Sequence, residues 1–365
     1  MKNILIVSGE ASGDIHAGDV MMYLNKLDQN IKFFGIGGKC SIENNIDLLH
    51  NISETAVVGF FEVIKKLFSL KKIFSNVIKV SKEKKPAFAI LIDYPAFNLR
   101  LAKRLKKLGI PVIWYIAPQV WAWKESRVIK MKEYISDLIV IFSFEVAFFK
   151  THNIETKYFG HPLQKKIADY KTTHPNLKKD TKKTIAYFPG SRKNEVKKHL
   201  PILIKLINTL GDKYYHIISV SDNIEISEIT KYQNVSNFNV SEDNYDLLNN
   251  SDFAIIKSGT TTIEATLFSL PFCVIYKTSK LSYLIAKLFS QIKFIAMPNI
   301  LTNSYVVNEF IQSNMTVDNL KKQVSKFLND DYRIETIDKL NKIFPKSEIN
   351  TPKLIAKFIF DKYLI

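Results

Sequence analysis

Cysteine is almost missing from this chain, glycine is sparse, and acidic residues are outnumbered. The two cysteines in 365 residues, Cys40 and Cys273, lie among apolar or small residues. Neither has a second cysteine nearby, which argues against a disulfide framework and a cysteine zinc site. No apolar run approaches the roughly 18 residues that cross a bilayer. The start, Met1-Lys2-Asn3 followed by Ile4–Val7, is too short in apolar residues for a secretory signal, so the expected location is the cytoplasm. G-x-G-x-x-G and the Gly-Lys-Ser/Thr phosphate loop are absent, which removes the dinucleotide and Walker fingerprints. Asp-x-Asp is absent too, so no metal is expected to hold a nucleotide, and no cofactor is implied. Lys and Arg number 52 against 35 Asp and Glu, a net charge of +17. Nucleic acid, an anionic membrane or anionic small substrates each fit that excess, as does a lysine-rich codon bias. No nucleic-acid-binding motif accompanies it, so nucleic acid is not an expected partner.

What is present is a run of short β-branched segments, each followed by a helical stretch. Ile4–Val7, Phe88–Asp93, Val112–Ala117, Leu138–Phe142, Thr184–Phe188, Tyr214–Val220, Phe253–Lys257 and Phe272–Tyr276 read as strands. They are nearly continuous in apolar residues, the signature of parallel strands covered on both faces. The fold class is therefore α/β, with doubly wound sheets that bind ligands beyond the carboxyl ends of their strands. The lysine-rich stretch Lys165–Lys183, with Thr172-Thr173 and Pro175, reads as a linker. The expected domains are 1–164 and 184–344, the linker 165–183 between them, and a C-terminal segment 345–365. That last segment carries an amphipathic helix with Leu354, Ile355, Phe358 and Ile359 on one face.

Most of the 12 glycines cluster just after strand-like runs, where backbone turns sharply or approaches a ligand. The first loop reads Ser8-Gly9-Glu10-Ala11-Ser12-Gly13-Asp14. Glu10 and Asp14 would repel a phosphate but suit accepting from sugar hydroxyls or taking a proton; Asp14 or Ser12 as a mere helix cap is the simpler alternative. Ile92-Asp93-Tyr94-Pro95-Ala96-Phe97-Asn98 places Asp93 at the end of a buried strand, where partial burial makes a carboxylate a better base; capping the next helix is its alternative. In Pro118-Gln119-Val120-Trp121-Ala122-Trp123 the tryptophans suit core packing, and Gln119 can reach a ligand. Phe188-Pro189-Gly190-Ser191-Arg192 and Ser258-Gly259-Thr260-Thr261-Thr262-Ile263-Glu264 each follow a strand and open a helix. Backbone N–H groups, hydroxyls and Arg192 there suit a diphosphate, and Glu264 suits ribose hydroxyls. Thr261 and Glu264 also fit a capping box.

These motifs, with Tyr158–Leu163, Glu195 and Pro298-Asn299, resemble the lipid-A-disaccharide synthases in order and approximate spacing, from the start to about Gln312. Ser-Gly-Glu-Ala-Ser-Gly-Asp together with Pro-Gln-Val-Trp-Ala-Trp is the specific combination. Ala117, Ser143 and Asn308 stand where the family has Ser, Pro and Pro. The resemblance implies a GT-B glycosyltransferase fold, two Rossmann-like domains with parallel sheets facing a central cleft. The first would bind the acceptor and the second the UDP-sugar, with the C-terminal helix packing back on the first. It implies transfer from UDP-2,3-diacylglucosamine to 2,3-diacylglucosamine 1-phosphate, with inversion, giving the lipid A disaccharide 1-phosphate and UDP. Asp93 is the first candidate for the base, with Glu10 and Asp14 as alternatives. Gly190, Ser191, Arg192, Ser258, Gly259, Thr260, Thr261, Thr262 and Glu264 would hold UDP. Ser12, Asn98, Gln119, Asn299 and Gln312 are candidates for contacting substrate. The oligomeric state is left open, a homodimer among the options.

Phe60–Ile78 and Leu281–Ile295 are amphipathic, with lysines beside a wide apolar face. Core packing accounts for such helices. So does peripheral association with the anionic cytoplasmic face of the inner membrane, because a lipid with two acyl chains stays in the bilayer.

Overall fold

The computed structural model describes residues 2–55, 62–121, 127–176, 182–221, 223–289, 293–327, 329–344 and 349–365, with backbone alone at 55, 62–68, 281, 285, 286 and 289. The chain forms two compact units, 1–162 with 349–365, and 163–348.

The first unit holds a parallel sheet of β1 (Lys2–Ser8), β2 (Ile31–Gly37), β3 (Asp47–Asn51), β4 (Phe88–Ile92), β5 (Val112–Tyr115), β6 (Asp137–Val140) and β7 (Thr156–Tyr158). Its order is β3-β2-β1-β4-β5-β6-β7. The second holds β8 (Thr184–Phe188), β9 (Tyr215–Ser219), β10 (Asn239–Ser241), β11 (Phe253–Lys257), β12 (Phe272–Tyr276) and β13 (Glu309–Ile311), ordered β10-β9-β8-β11-β12-β13 and also parallel. Both sheets are doubly wound. Ile4–Val7 and Phe88–Ile92 are wholly buried, because helices cover both faces, which is why these strands read as unbroken apolar runs.

Strand order reverses beside β1 and β4 in the first sheet, and beside β8 and β11 in the second. Adjacent loops leave such a switch point in opposite directions and open a crevice at the carboxyl ends of the strands. The chain sets its first loop and Asp93 at one crevice. It sets its Gly-Ser-Arg and Ser-Gly-Thr loops at the other.

The expected linker is corrected by a helix at Leu163–Thr173, which belongs to the second unit. Ile167 is buried, Tyr170 packs on Tyr245 and Phe268, and Lys171 Nζ donates to the Leu267 carbonyl at 2.8 Å. Leu163, Ile167 and Tyr170 recur at helical spacing, a stripe masked by the intervening lysines; residues 177–181 lie outside the described set. The helix Thr351–Tyr363 sends Ile355, Ala356 and Ile359 into the core formed with Ala17, Val20, Met21 and Leu24. Lys362 Nζ lies 2.7 Å from Asp137 at the start of β6. The last segment is therefore part of the first unit.

Of the two amphipathic stretches, the helix Glu62–Lys84 buries Ile73 and Val77, with Leu70, Phe74 and Ile78 packed against the same core. Phe60 and the side chains of 62–68 lie outside the described set. The helix Lys280–Phe289 instead leaves Leu284 55% and Leu288 72% exposed. Among the described residues no helix is long and apolar enough to cross a membrane.

Candidate active site

In the first unit, the chain leaves β4 through two consecutive left-handed residues, Asp93 (φ 46°) and Tyr94 (φ 48°), before Pro95 opens the helix Pro95–Lys107. Non-glycine residues resist this conformation, at a cost of order 1–3 kcal/mol each. Neighbours hold it in place. Asn98, fully buried, donates from Nδ2 to the carbonyls of Asp93 (2.8 Å) and Ile92 (3.3 Å). The Tyr94 ring stacks on Phe97 at 5.3 Å. It also lies over Gly9, where a Cβ would come within 2.2 Å of it; only glycine fits. The turn thrusts Asp93 to the end of the sheet. Burial, and then the neighbouring charge of Glu10, push its carboxyl up to about 6. Glu10 is exposed at the N-cap of the helix Ala11–Leu27 and makes no cap hydrogen bond.

Asp14 has a different position. It is buried, and its carboxylate accepts from the backbone N–H of Gly38 (2.6 Å), Cys40 (2.8 Å) and Ser41 (3.3 Å) and from the Ser41 hydroxyl. Four donors occupy the carboxylate, so it holds the loop after β2. Ser12 is exposed in the first turn of the same helix.

Beside Asp93 lies a cavity of about 560 Å³, within the range of small-ligand sites. Pro95, Ile116, Ala117, Pro118, Val120, Ile141 and Phe142 make its walls apolar, while Asp93, Gln119, Arg127 and Glu145 add polar groups. Ile116 is again left-handed, with φ 65°. Gln119 is exposed at the rim; Ala122 and Trp123 lie outside the described set. Sequence reasoning passed over Glu145 and Arg127. Glu145 is buried and accepts from the N–H groups of Phe142 (3.1 Å) and Ile141 (3.3 Å) and from Trp121 Nε1 (3.2 Å). Burial raises its carboxyl to about 7 against those bonds. Its signal in the sequence was a glutamate at the third position of a helix.

In the second unit, Gly190 follows β8 with φ 125°, and a Cβ there would meet Glu195 Oε2 at 2.7 Å. Ser191 and Arg192 are exposed; Arg192 is the N-cap of the helix Lys193–Leu210 and makes no side-chain cap. The helix Thr261–Phe268 starts likewise at Thr260 without a side-chain cap. Both helix starts thus keep amide donors and a positive dipole end for an anion. Gly259 and Thr260 are exposed, and Thr261 is half-buried. Ser258 Oγ donates to the Ile295 carbonyl at 2.7 Å, and the buried Thr262 hydroxyl to the Gly259 carbonyl at 2.7 Å. These two hydroxyls shape the loop. Glu264 is half-buried and bonded to the Thr261 side chain; burial raises it to about 7, with Lys166 opposing.

Two further residues tie these loops together. Lys257 ends β11 and pairs with Glu195 at 2.9 Å. Buried His199 bonds through Nδ1 to the Pro189 carbonyl (2.6 Å) and accepts the Lys277 N–H at Nε2 (2.9 Å). Both ring nitrogens are thereby assigned, and burial lowers its pKa. Asn299 is fully buried and fully satisfied, its Oδ1 accepting from Val306 and Val307 N–H and its Nδ2 donating to Val307 O and Glu309 Oε1. It knits the loop before β13. Gln312, left-handed at φ 52°, accepts from the Thr278 N–H at 3.3 Å.

Residues 4–357 match the family model for lipid-A-disaccharide synthetase. Lipid-A-disaccharide synthase 1 of Legionella pneumophila (strain Paris) is 36% identical over 341 residues, which is 90% of this chain and 88% of that protein. The lipid-A-disaccharide synthase of Coxiella burnetii (strain CbuG_Q212) is 31% identical over 98% of this chain and 99% of its own. Among solved structures, UDP-GlcNAc 2-epimerase from Neisseria meningitidis bound to UDP-GlcNAc superposes with a TM-score of 0.68 at 12% identity, covering 99% of this chain and 100% of that one. Acinetobacter baumannii MurG does so at 0.60 and 13%, with coverage of 99% and 100%. At that identity the likeness is one of fold, the two-domain GT-B architecture.

Proposed function

Because the chain belongs to the lipid-A-disaccharide synthase family, UDP-sugar glycosyltransferases of lipid A biosynthesis, we propose that it joins UDP-2,3-diacylglucosamine to 2,3-diacylglucosamine 1-phosphate with inversion. The acceptor 6-hydroxyl attacks the anomeric carbon from the side opposite UDP. As the new C–O bond forms, the bond to the UDP oxygen breaks, and the hydroxyl proton passes to Asp93. Arg192 and the two uncapped helix starts in the second unit stabilise the charge gathering on the leaving diphosphate. Glu264 accepts from the ribose hydroxyls. Lys257, through Glu195, and His199 are positioning residues for the loops that hold the diphosphate.

The observation that carries this reading is the chemistry of Asp93. It is a desolvated carboxylate on a strained turn at a topological switch point, beside a cavity of sugar size. Asn98 and Asp14 support that turn and the neighbouring loop without touching substrate. The test is UDP release from the two acylated glucosamines. Asp93→Asn should cut turnover at least 100-fold, the scale of general-base catalysis, with UDP affinity unchanged. Arg192→Ala should weaken UDP binding about 10- to 100-fold. Full activity of both variants, or UDP release only with some other acceptor, overturns the assignment.

The acyl chains require the enzyme to work at the membrane. Exposed Leu284 and Leu288 beside exposed Lys280 and Lys287 support peripheral binding to an anionic surface.

A further inference from the structure

Arg127 is unusual among the basic residues of this chain because it is half-buried in the cavity that Asp93 borders. Among the described residues it makes no ion pair or hydrogen bond. A half-buried guanidinium with no carboxylate partner among the described residues favours the arrival of an anion. The other charged groups in the lining do not neutralise it. Glu145 gives both carboxylate oxygens to Ile141, Phe142 and Trp121. Asp93 faces the same space but is reserved, on the reading above, for the attacking hydroxyl. The remaining walls are apolar.

A cavity with a base in its lining, a guanidinium without a partner among the described residues, and apolar sides suits an amphiphilic ligand that has a hydroxyl at one end and an anion at the other. We propose that Arg127 binds the phosphate of the acceptor, and that this contact selects a sugar phosphate over a neutral sugar and turns its free hydroxyl toward Asp93. The inference rests on the acceptor reading of this cavity and adds to it the residue that determines specificity. A planar guanidinium meets two phosphate oxygens at once. A contact of this charge-assisted kind corresponds to a factor of about 10 to 100 in discrimination.

The experiment compares kcat/KM for 2,3-diacylglucosamine 1-phosphate with that for the same acylated sugar lacking phosphate, in the wild type, Arg127→Gln and Arg127→Lys, with folding checked by thermal melting. The preference for the phosphorylated acceptor should fall about 10- to 100-fold in Arg127→Gln, mainly through KM. Arg127→Lys should recover part of it, and UDP affinity should stay constant. If Arg127→Gln lowers both acceptors by the same factor, or weakens UDP binding, the residue does not read the acceptor phosphate and the proposal fails. If Arg127→Gln melts early, the Arg127→Lys preference decides alone. Asp93→Asn is the separate control. Its silence would remove the catalytic reading, whereas an unchanged acceptor preference in the Arg127 variants removes only this inference.

Discussion

At the scale of the residue, the strongest constraint is the ionisation of Asp93. Its folded pKa of about 6 stands above the ordinary 3.8 because burial disfavours the charge. Below 3.8 both folded and unfolded states carry the proton. Between the two values only the folded state does, and above 6 both have lost it. The neutral carboxyl therefore contributes stability that is complete at low pH and disappears as pH rises through 6. At 1.36 kcal/mol per pKa unit the difference is about 2–3 kcal/mol. Asp93→Asn, which cannot ionise, should unfold at higher denaturant than wild type at pH 8, and the gap should close toward pH 4. A gap of the same size at both pH values would show that ionisation is not its source. The activity profile should carry the same signature, with kcat/KM falling on the acid side near pH 6. Glu10→Gln should move that limb to lower pH, because the charge of Glu10 is the second cause of the shift. A limb that stays put would separate Glu10 from the base.

At the scale of the element, the strands at the switch points were legible, whereas the edges, and inner β2 with Gly35 and Gly37 in its run, were not. Strands at the switch points are buried on both faces, so Ile4–Val7 and Phe253–Ile256 wrote themselves as apolar runs. The edge strands β7, β10 and β13 have three residues each, with mixed polarity, too short to show a period. The helix Leu163–Thr173 hid behind its lysines. The site followed the same division. Loops were visible because glycines and hydroxyls follow strands, but the partner of a polar side chain is fixed in three dimensions. Asp14 meets its donors at Gly38, Cys40 and Ser41, and Asn299 at Val306 and Val307, so each looked as available as Asp93. The roles can be told apart. Asp14→Ala strands several buried N–H groups at about 1–3 kcal/mol for each that finds no water. It should lower the melting temperature of the first unit by roughly 5–15 °C, and any loss of activity should track the folded fraction. A variant that melts like wild type yet is inactive would return Asp14 to the chemistry.

At the scale of the whole molecule, the proposed association with a membrane gives the positive charge and the exposed leucines a common explanation. An excess of 17 positive charges gives long-range attraction to an anionic surface. Each lysine held near such lipid contributes about 1 kcal/mol, an effect that fades with salt. Charge alone does not distinguish a membrane from any other polyanion; the exposed apolar residues do. On the helix Lys280–Phe289, Leu284 and Leu288 lie one turn apart and stand clear of the core, while Lys280 and Lys287 are exposed on the same helix. Burying a leucine side chain in hydrocarbon gains about 1.5–3 kcal/mol, so on the proposed reading this pair would favour lipid over a polar polyanion by a factor that charge cannot supply. Sedimentation with anionic vesicles should therefore show two separable dependences. Raising salt should weaken binding through the lysines. Leu284→Ser with Leu288→Ser should weaken it at least tenfold at constant salt, while UDP affinity and the melting temperature stay at their wild-type values, because neither side chain contributes to a core. Binding that responds to salt but not to the double substitution would leave attraction between charges as the whole of the interaction, and the apolar face of this helix would have no part in bringing the enzyme to its substrates.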